Sequence, residues 1–404
     1  MSFHDQHPQE IEYSLRREMN EFYWAMAIKN FAVYLGGFFL VVYVYQYFNE
    51  SLVATFAFYA VEFLLYAVFA PIGARSMQSL GLKKSMAVGN PFLAAYFLCL
   101  LFAPQLGFPA IVVALIVKLF YFMFFWPARH VDFARFARRG KQGQHLSVEG
   151  VIVALVKAMG PLVGGLILTL YGFPALLIIS SLLIAIASFP LFFSPEVYEK
   201  YSLTWRESYR YAWHRKNRRA SLSFIFQGAE SGIRLFVFPL YVFLVIPSFT
   251  TIGLITSFTL VIALIFTYYI GWLSDKEGGM KIFSLTSIVH AFSWLINGFI
   301  TTPMSYLAFS SLFRLSELAT ELPYMQYFFK QAKQRMYLPV GRTLAHGHGT
   351  DEYIVLREIM HSYGRMLAFA LVAVMALFGG GFVSFPILFV IAAMCTIAMR
   401  VIKG

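Results

Sequence analysis

The stretch PALLIISSLLIAIASFPLFF, residues 174–193, carries no charged side chain. An α-helix needs about 20 apolar residues to cross the hydrocarbon core of a bilayer. A transmembrane β-strand would alternate apolar and polar side chains, whereas residues 176–179 (Leu-Leu-Ile-Ile) do not alternate. Because backbone N–H and C=O groups in lipid must bond within the protein, this stretch predicts a membrane-spanning α-helix.

The whole chain has the composition of a membrane protein. Of its 404 residues, 59% are hydrophobic and 13% are charged, against about 45–50% and about 25% in soluble domains. A water-soluble fold would have to expose much of this apolar surface. The sequence therefore predicts an all-α membrane protein with twelve transmembrane helices. Besides residues 174–193, the predicted spans are 30–48, 52–74, 85–103, 108–127, 150–171, 221–245, 251–273, 282–300, 303–328, 355–378 and 384–399.

Lysine and arginine residues are concentrated in every second connection between the predicted helices. Of the 32, 26 fall in the two termini and five connections, whereas the connections on the other side carry Glu50 as their only charge. Such residues are retained on the cytoplasmic side of a membrane. We therefore expect a multi-pass protein of the inner (cytoplasmic) membrane with both termini in the cytoplasm. The basic connections are residues 75–84, 129–141, 200–219, 276–281 and 330–342.

The longest basic connection interleaves Trp and Tyr with Arg and Lys. Aromatic and basic residues together also bind nucleic acids, but this composition equally suits a helix that lies on anionic lipid headgroups. We favour the second interpretation, so the expected partner is the lipid bilayer and not a nucleic acid. The expected organisation is an amino-terminal six-helix half (residues 1–195), a cytoplasmic linker (196–220) and a carboxy-terminal six-helix half (221–404).

The two halves repeat one another. Lys118 lies nine residues before Pro127 in the fourth span, and Arg314 lies nine residues before Pro323 in the tenth. The turns after the second and eighth spans also share a Gly and a Lys three residues apart. Two parallel six-helix repeats with the substrate at their interface are a known transporter architecture. We therefore expect two pseudo-symmetric six-helix bundles.

Residues 271–278, G-W-L-S-D-K-E-G, resemble the G-x-x-x-D-[RK]-x-G signature of the major facilitator superfamily. The resemblance implies a secondary transporter that works by alternating access. In that family the signature also occurs between the second and third helices, where this sequence has Gln78 in place of the acid but keeps Gly81, Lys83 and Lys84. The gating residues that the resemblance implies are Gly271, Asp275, Lys276 and Gly278.

Residues 160–165, G-P-L-V-G-G, resemble the G-P-x-x-G-G motif of the antiporters in the same superfamily. Small residues allow helices to approach closely, and a proline loosens the helix backbone. The resemblance implies an exporter or antiporter, although any close helix crossing would need the same glycines. The gating residues implied here are Gly160, Pro161, Gly164 and Gly165.

Titratable residues inside the spans are the candidates for the transport site. A charge at the bilayer centre costs at least ~2.5–3.5 kcal/mol on insertion scales, so each needs a partner or a wet cavity. The candidates comprise five acids, five bases and one titratable histidine, so mutual pairing is expected to neutralise the interior. By resemblance to the superfamily, spans 1, 4, 7 and 10 line the cavity, and the candidates fall on these spans or on the flanking spans 2, 5, 8 and 11. The candidates are Glu62, Lys118, Lys157, Glu230, Arg234, Arg314, Glu317, Glu321, Glu358, His361 and Arg365.

Helical spacing groups several of these candidates. Glu358, His361 and Arg365 recur at i, i+3 and i+7, which puts them on one helix face. A carboxylate between low-dielectric walls can load and release a proton, and we expect Glu317, or Glu358 with His361, to carry a coupling proton. The alternative is that all of these residues form structural ion pairs. The central site is expected to contain Glu230, Arg234, Arg314 and Glu317.

The first functional hypothesis is a proton-coupled carrier that moves a small organic solute. The antiporter-like motif favours export, whereas an interior rich in Arg and Lys favours uptake of a polar or anionic metabolite. A non-transporting membrane sensor or scaffold is the alternative, because fold alone does not fix function. No Walker A, Gly-x-Ser-x-Gly or zinc-protease motif is present, so we expect no enzymatic activity. We also expect a monomer without cofactor or metal. The run around His346 and His348 resembles a metal-binding stretch, but a polar loop is the preferred interpretation.

Overall fold

The computed structural model describes residues 8–136, 142–335 and 349–403, and these ranges contain helices and no β-strand. The helices of the first part are α1 (Pro8–Tyr47), α2 (Leu52–Ala74), α3 (Ser76–Ser79), α4 (Leu82–Leu106), α5 (Phe108–Phe136), α6 (Gln142–Ile186), α7 (Phe189–Phe193) and α8 (Trp205–Trp213). They are followed by α9 (Arg218–Gly232), a π-helix (Ile233–Val237), α10 (Phe238–Val245), α11 (Phe249–Glu277), α12 (Gly279–Asn297), α13 (Pro303–Arg335), α14 (Gly349–Leu377) and α15 (Ser384–Ala398). Short 3-10 helices lie at Gly381–Val383 and Met399–Lys403.

Ten helical segments of the described ranges are long and apolar enough to cross a membrane. One of them, Leu155–Phe193, is 39 residues long and contains Gly172 at φ 74°, a non-helical conformation that bends the chain. The 33-residue helix α13 is not among the ten and carries several charged residues. The all-helical membrane fold expected from the sequence is confirmed with ten to twelve apolar helices, and the count of twelve remains a prediction.

Two turns show why the apolar runs end where they do. Asn49 and Glu50 both have positive φ, 51° and 62°, and Ser51 then caps α2 by accepting a hydrogen bond from the N–H of Ala54 at 3.2 Å. Gly278, between α11 and α12, has φ 86°, a conformation that favours glycine because it has no Cβ. Each of these turns ends one helix and begins the next within a few residues.

The helices pack as two groups that touch along two helix pairs. In the first group α1 packs on α6, α4 on α5 and α6, and α2 on α5; in the second α14 packs on α9, and α13 on α11 and α12. Extensive contacts between the groups are made by α2 with α14 and by α6 with α11. The linker helix α8 contacts both groups. It packs on α14 and α9 of the second group, and Trp205 Nε1 and the Tyr209 hydroxyl each donate a hydrogen bond of 2.8 Å to backbone carbonyls of α2 in the first.

Glycines of residues 160–165 lie where α6 crosses its neighbours. A Cβ on Gly164 would overlap the carbonyl oxygen of Leu35 in α1, and one on Gly165 would overlap that of Phe249 in α11. The contact with α11 is reciprocal, because a Cβ on Gly253 would overlap the carbonyl oxygen of Pro161. Gly160 likewise packs against Tyr34 of α1. The sequence motif therefore supplies the backbone-to-backbone contact that holds α6 between α1 and α11.

Candidate functional site

The most highly charged site in the described residues is built around Arg234. Its Nε lies 3.1 Å from Glu230 Oε1, one helical turn earlier, and its Nη2 lies 3.4 Å from Glu321 Oε2 of α13. Its Nη1 contacts Glu317, also on α13. Arg234 is the second residue of the π-helix, and such wide turns are frequent at functional sites. One guanidinium therefore meets three carboxylates from two helices.

A second guanidinium completes this group. Arg314 Nη1 lies 2.8 Å from Glu317 Oε2, so Glu317 is held by both arginines. We call Glu230, Arg234, Arg314, Glu317 and Glu321 the Arg234 cluster. It contains three carboxylates and two guanidiniums, so a carboxylate is in excess. Four of its side chains are largely buried, whereas that of Glu321 is 44% exposed.

His290 of α12 belongs to the same site. Its Nε2 lies 3.4 Å from Glu230 Oε1 and its Nδ1 lies 3.0 Å from Ser316 Oγ. Ser316 in turn shares a hydrogen bond of 2.9 Å with Ser293. His290 was not among the predicted site residues because the ninth span was not expected to face the site. A histidine inside an apolar run was the available signal.

The Arg234 cluster faces a small cavity, in which the space open to the centre of a water molecule is about 20 Å³. This is enough for about one water molecule beside the charged groups. The residues that line it come from α9, the π-helix, α12, α13 and the last 3-10 helix. They are Gln227, Glu230, Arg234, His290, Glu317, Thr320, Glu321, Tyr324 and Met399.

Glu358 of α14 lies in a separate group that joins the two sets of helices. Its carboxylate accepts a hydrogen bond of 3.0 Å from the Tyr66 hydroxyl of α2, and it lies 2.9 Å from His130 Nδ1 of α5 and 3.2 Å from Arg357 Nη1. Although the sequence paired Glu358 with His361, the structure gives them different neighbours. His361 Nε2 contacts Ser231 Oγ of α9 at 3.1 Å. The reason is that α14 lies between α2 and α9. Residues three apart on a helix differ by about 60° around its axis, so Glu358 meets α2 and α5 while His361 meets α9.

Several cations of the interior have no carboxylate within ion-pair distance among the described residues. Lys118 Nζ lies 4.1 Å from the ring centre of Tyr96, and Tyr96 donates a hydrogen bond of 3.0 Å to Glu62. Lys157 Nζ lies 5.5 Å from the ring centre of Tyr34 on α1. Arg365 donates to Ser231 Oγ at 3.1 Å and lies over the ring of Phe63.

The expected neutralisation of the interior by mutual pairing is therefore wrong for part of the molecule. Lys29, counted from the sequence among the residues of the amino-terminal segment, is 5% exposed inside α1. Arg357, which lies at the end of the predicted span 355–378 and was therefore not counted among the interior candidates, is 7% exposed. Hydropathy could not reveal either, because each lies at the edge of an apolar run and its burial depends on the neighbouring helices.

The two gate regions differ. In the carboxy-terminal region, Lys276 Nζ lies 4.9 Å from the ring centre of Trp272, Gly271 has no neighbour that a Cβ would meet within 4 Å, and Ser274 donates a hydrogen bond of 2.8 Å to Gln326 of α13. The side chain of Asp275 lies outside the part of the chain that the structure describes, as does the whole of residues 336–348 with His346 and His348.

In the amino-terminal region Gln78 stands where the family signature has an acidic residue, and a carboxylate is supplied from elsewhere in the chain. Glu196 accepts hydrogen bonds of 2.9 Å from the N–H groups of both Lys83 and Lys84 at the start of α4. A carboxylate at this position is favourable because the helix N-terminus carries a partial positive charge. Lys83 itself forms a fully buried ion pair of 2.5 Å with Asp132 of α5. No sequence signal linked Glu196 to a turn more than a hundred residues away.

Aromatic contacts close the space between the two groups of helices. Phe236 of the π-helix lies 4.6 Å from Tyr59 and 5.9 Å from Phe63 of α2, measured between ring centres. Near the last turns of α5 and α13, Phe133 and Phe329 lie 4.7 Å apart.

Comparison with known proteins identifies the family. The sequence profile of the Major Facilitator Superfamily matches residues 23–337, which include the Arg234 cluster and end before Glu358. A comparison with curated protein sequences finds no match. The resemblance seen in residues 271–278 is thus confirmed over most of the chain. The chain belongs to the major facilitator superfamily, and it is a multi-pass membrane transport protein.

Proposed function

We propose that this protein is a secondary active transporter that moves a small organic solute across the cytoplasmic membrane by alternating access and couples this movement to protons. Twelve spans form two six-helix halves, residues 1–195 and 221–404, and both termini lie in the cytoplasm. Support for the two halves comes from the helix packing, in which α2–α14 and α6–α11 provide the main contacts between two groups. Support for the orientation comes from the distribution of Lys and Arg.

Proton coupling rests on one observation, the excess of carboxylates in the Arg234 cluster. Three carboxylates share two guanidiniums beside a cavity. In a low-dielectric site an unbalanced negative charge is costly, and binding a proton removes it. We therefore expect the cluster to bind one proton, and a solute that enters the cavity to change the balance of charge.

Within the cluster we assign the proton to Glu321. Its single contact with Arg234 is 3.4 Å long and its side chain is the most exposed of the three carboxylates, so protonation breaks the weakest ion pair and the proton has a route to the cavity. Glu317, one of the two proton carriers expected from the sequence, is held by two guanidiniums that stabilise its charge. Glu358 has Arg357, His130 and Tyr66 as partners. We propose that these two residues hold helices together.

Alternating access requires the contacts between the two halves to open and close. Glu358 on α14 is bonded to Tyr66 on α2 and lies beside His130 on α5, so this group separates if the halves rotate apart. The close glycine crossing of α6 with α11, at Gly165 and Gly253, allows such rotation because no side chains interlock there. The antiporter-like motif favours export, and proton gradients of both polarities test the direction.

The test is solute-driven proton movement in proteoliposomes. Purified protein is reconstituted with a pH-sensitive dye inside, and a panel of organic anions, cations and neutral solutes is added under gradients of either polarity. We expect at least one solute to move protons, and Glu321→Gln to abolish proton movement. Glu277→Gln is the matched control, because Glu277 is a half-exposed carboxylate at the end of α11 paired with Lys281.

Two outcomes contradict the proposal. Proton movement by Glu321→Gln at the rate of the unmodified protein removes Glu321 from the mechanism. Flux of a solute without any proton movement removes proton coupling, and the absence of both flux and solute-dependent stabilisation favours a non-transporting sensor or scaffold.

A further inference from the structure

We propose that a cationic group on α1 and α5, with the buried Lys29 at its centre, binds the carboxylate of a small organic anion, which is thereby the solute of the transporter proposed above. The group consists of Lys29, Lys118 and Arg129, with Trp126 as its central aromatic wall; we call it the Lys29 cluster. The assignment rests on the proposed transport function, but equilibrium binding tests it without reference to proton movement.

Lys29 is the centre of the cluster. Its Nζ lies directly over the face of Phe125 and 5.1 and 5.5 Å from the ring centres of Tyr121 and Trp126. The residue is 5% exposed, and no carboxylate of the described residues lies within ion-pair distance. Contact of a cation with ring faces is worth less than the cost of taking that cation out of water. The site is therefore electrostatically incomplete.

Two further cations increase this deficit. Arg129 lies 5.5 Å from the ring centre of Trp126, which Lys29 also contacts, and Lys118 lies 5.4 Å from the ring centre of Tyr121, another ring beside Lys29. Three cations thus share one set of rings. The nearby acid, Glu62, accepts a hydrogen bond from Tyr96, over whose ring Lys118 lies, so one carboxylate stands against three cations. An anion that enters this region gains attraction from all three cations.

The chemistry of the walls selects the class of anion. Trp126, Tyr121 and Phe125 present apolar ring surface beside the cations, which suits a carboxylate attached to an apolar body. A phosphate group would need a dense set of N–H and O–H donors, and this site offers mainly ring surface around a few cationic side chains. The Arg234 cluster is a poor alternative, because its excess charge is negative.

The experiment measures equilibrium binding to the purified full-length protein by calorimetry and by the shift in melting temperature. The probes are benzoate, hexanoate and citrate as carboxylates, benzamide as the uncharged counterpart of benzoate, and inorganic phosphate. We expect at least one carboxylate to bind, benzamide and phosphate to bind at least 10-fold more weakly, and Lys29→Gln to weaken carboxylate binding at least 10-fold. Lys29→Arg should keep the affinity within about 3-fold, since the charge remains.

The matched control is Lys281→Gln, which removes an exposed lysine at the start of α12, and it should bind as the unmodified protein does. If Lys29→Gln does not fold, Arg129→Gln replaces it with the same expected loss. The proposal is overturned if no carboxylate binds, if benzamide binds as well as benzoate, if phosphate is preferred, or if neutralising Lys29 and Arg129 leaves binding unchanged. Carboxylate binding that depends on Lys29 in a protein that moves no protons would retain this site while rejecting proton coupling.

Discussion

The Arg234 cluster and the Lys29 cluster both contain cationic side chains, but only in the Arg234 cluster are these cations paired with carboxylates of the described residues. In the first, two guanidiniums are fully used by three carboxylates, two of which are nearly buried. In the second, cations of α1 and α5 contact aromatic rings and no carboxylate of the described residues. A region whose charges are paired within the protein is suited to hold its shape and exchange a proton. A region whose charges are unpaired is suited to bind a charge from outside.

The largest effect is expected when the Arg234 cluster loses its centre. Arg234→Met leaves three carboxylates facing one remaining guanidinium, and breaking a buried ion pair costs about 3–5 kcal/mol. We expect a large fall in the melting temperature in detergent, or failure to purify a folded protein. Arg206→Met on the exposed face of α8 is the control. A melting temperature close to that of the unmodified protein would show that the carboxylates are neutral or hydrated and that the cluster is not a stabilising network.

The same substitution type in the Lys29 cluster should have the opposite sign. Lys29→Met removes a buried cation that lacks a carboxylate, so the free energy of unfolding of the ligand-free protein should rise by about 2–3 kcal/mol. The loss of the contacts between the cation and the aromatic rings reduces this gain. The measurement is the melting temperature without added anion. A fall as large as that of Arg234→Met would erase the difference between the two clusters and point to a partner for Lys29 that balances its charge.

Helix positions provide a third test. Gly164→Ala adds a Cβ that overlaps the Leu35 carbonyl of α1, and overpacking of this kind costs about 1–3 kcal/mol. Because α1 carries Lys29, the substitution should also weaken carboxylate binding while leaving the Arg234 cluster intact. Gly271→Ala is the stability control, since nothing lies within 4 Å of the added atom. Equal stability of the two variants would contradict the tight crossing of α6 and α1.

The smallest effect concerns the linker helix α8, which packs on α14 and α9 and is hydrogen-bonded to α2. Thr204 caps α8 and forms a reciprocal capping box with Glu207, and loss of such a cap costs about 1 kcal/mol. We expect Thr204→Ala to increase the mobility of a spin label placed on α8 at position 210, and Thr204→Ser to leave it unchanged. Immobility of the label in Thr204→Ala would show that packing on α2, α9 and α14 holds α8 without the cap.

The pH dependence of the same label follows from the cap. Hydrogen bonds from the Thr204 backbone N–H and hydroxyl hold the pKa of Glu207 below its usual value. A lowered pKa means that the ionised form is favoured in the folded helix. The cap is therefore intact above the ordinary glutamate pKa of about 4.3 and is lost as the pH falls below it through the lowered pKa. The label on α8 should gain mobility in that acid range and not between pH 5 and 8.

Much of the fold follows from the sequence because it depends on local periodicity. The apolar runs coincide with helices, the bend at Gly172 separates two of the predicted spans, and the pairs Glu230–Arg234 and Arg314–Glu317 follow from helical spacing. These predictions need no knowledge of neighbouring helices. The family was also evident from residues 271–278, because a short motif at a helix turn is local in the same sense.

The packing of the helices against one another determines which charged side chains have a partner. The contacts of His290 with Glu230, of His130 with Glu358, and of Glu196 with the start of α4 join residues 60 or more positions apart. Burial of Lys29 depends on α5 lying against α1. The rotation of one helix against another fixes such contacts, and side-chain packing summed over the whole bundle determines that rotation. A pattern read along one helix therefore predicts which face is polar, whereas the partner that the face meets is set by the assembled bundle.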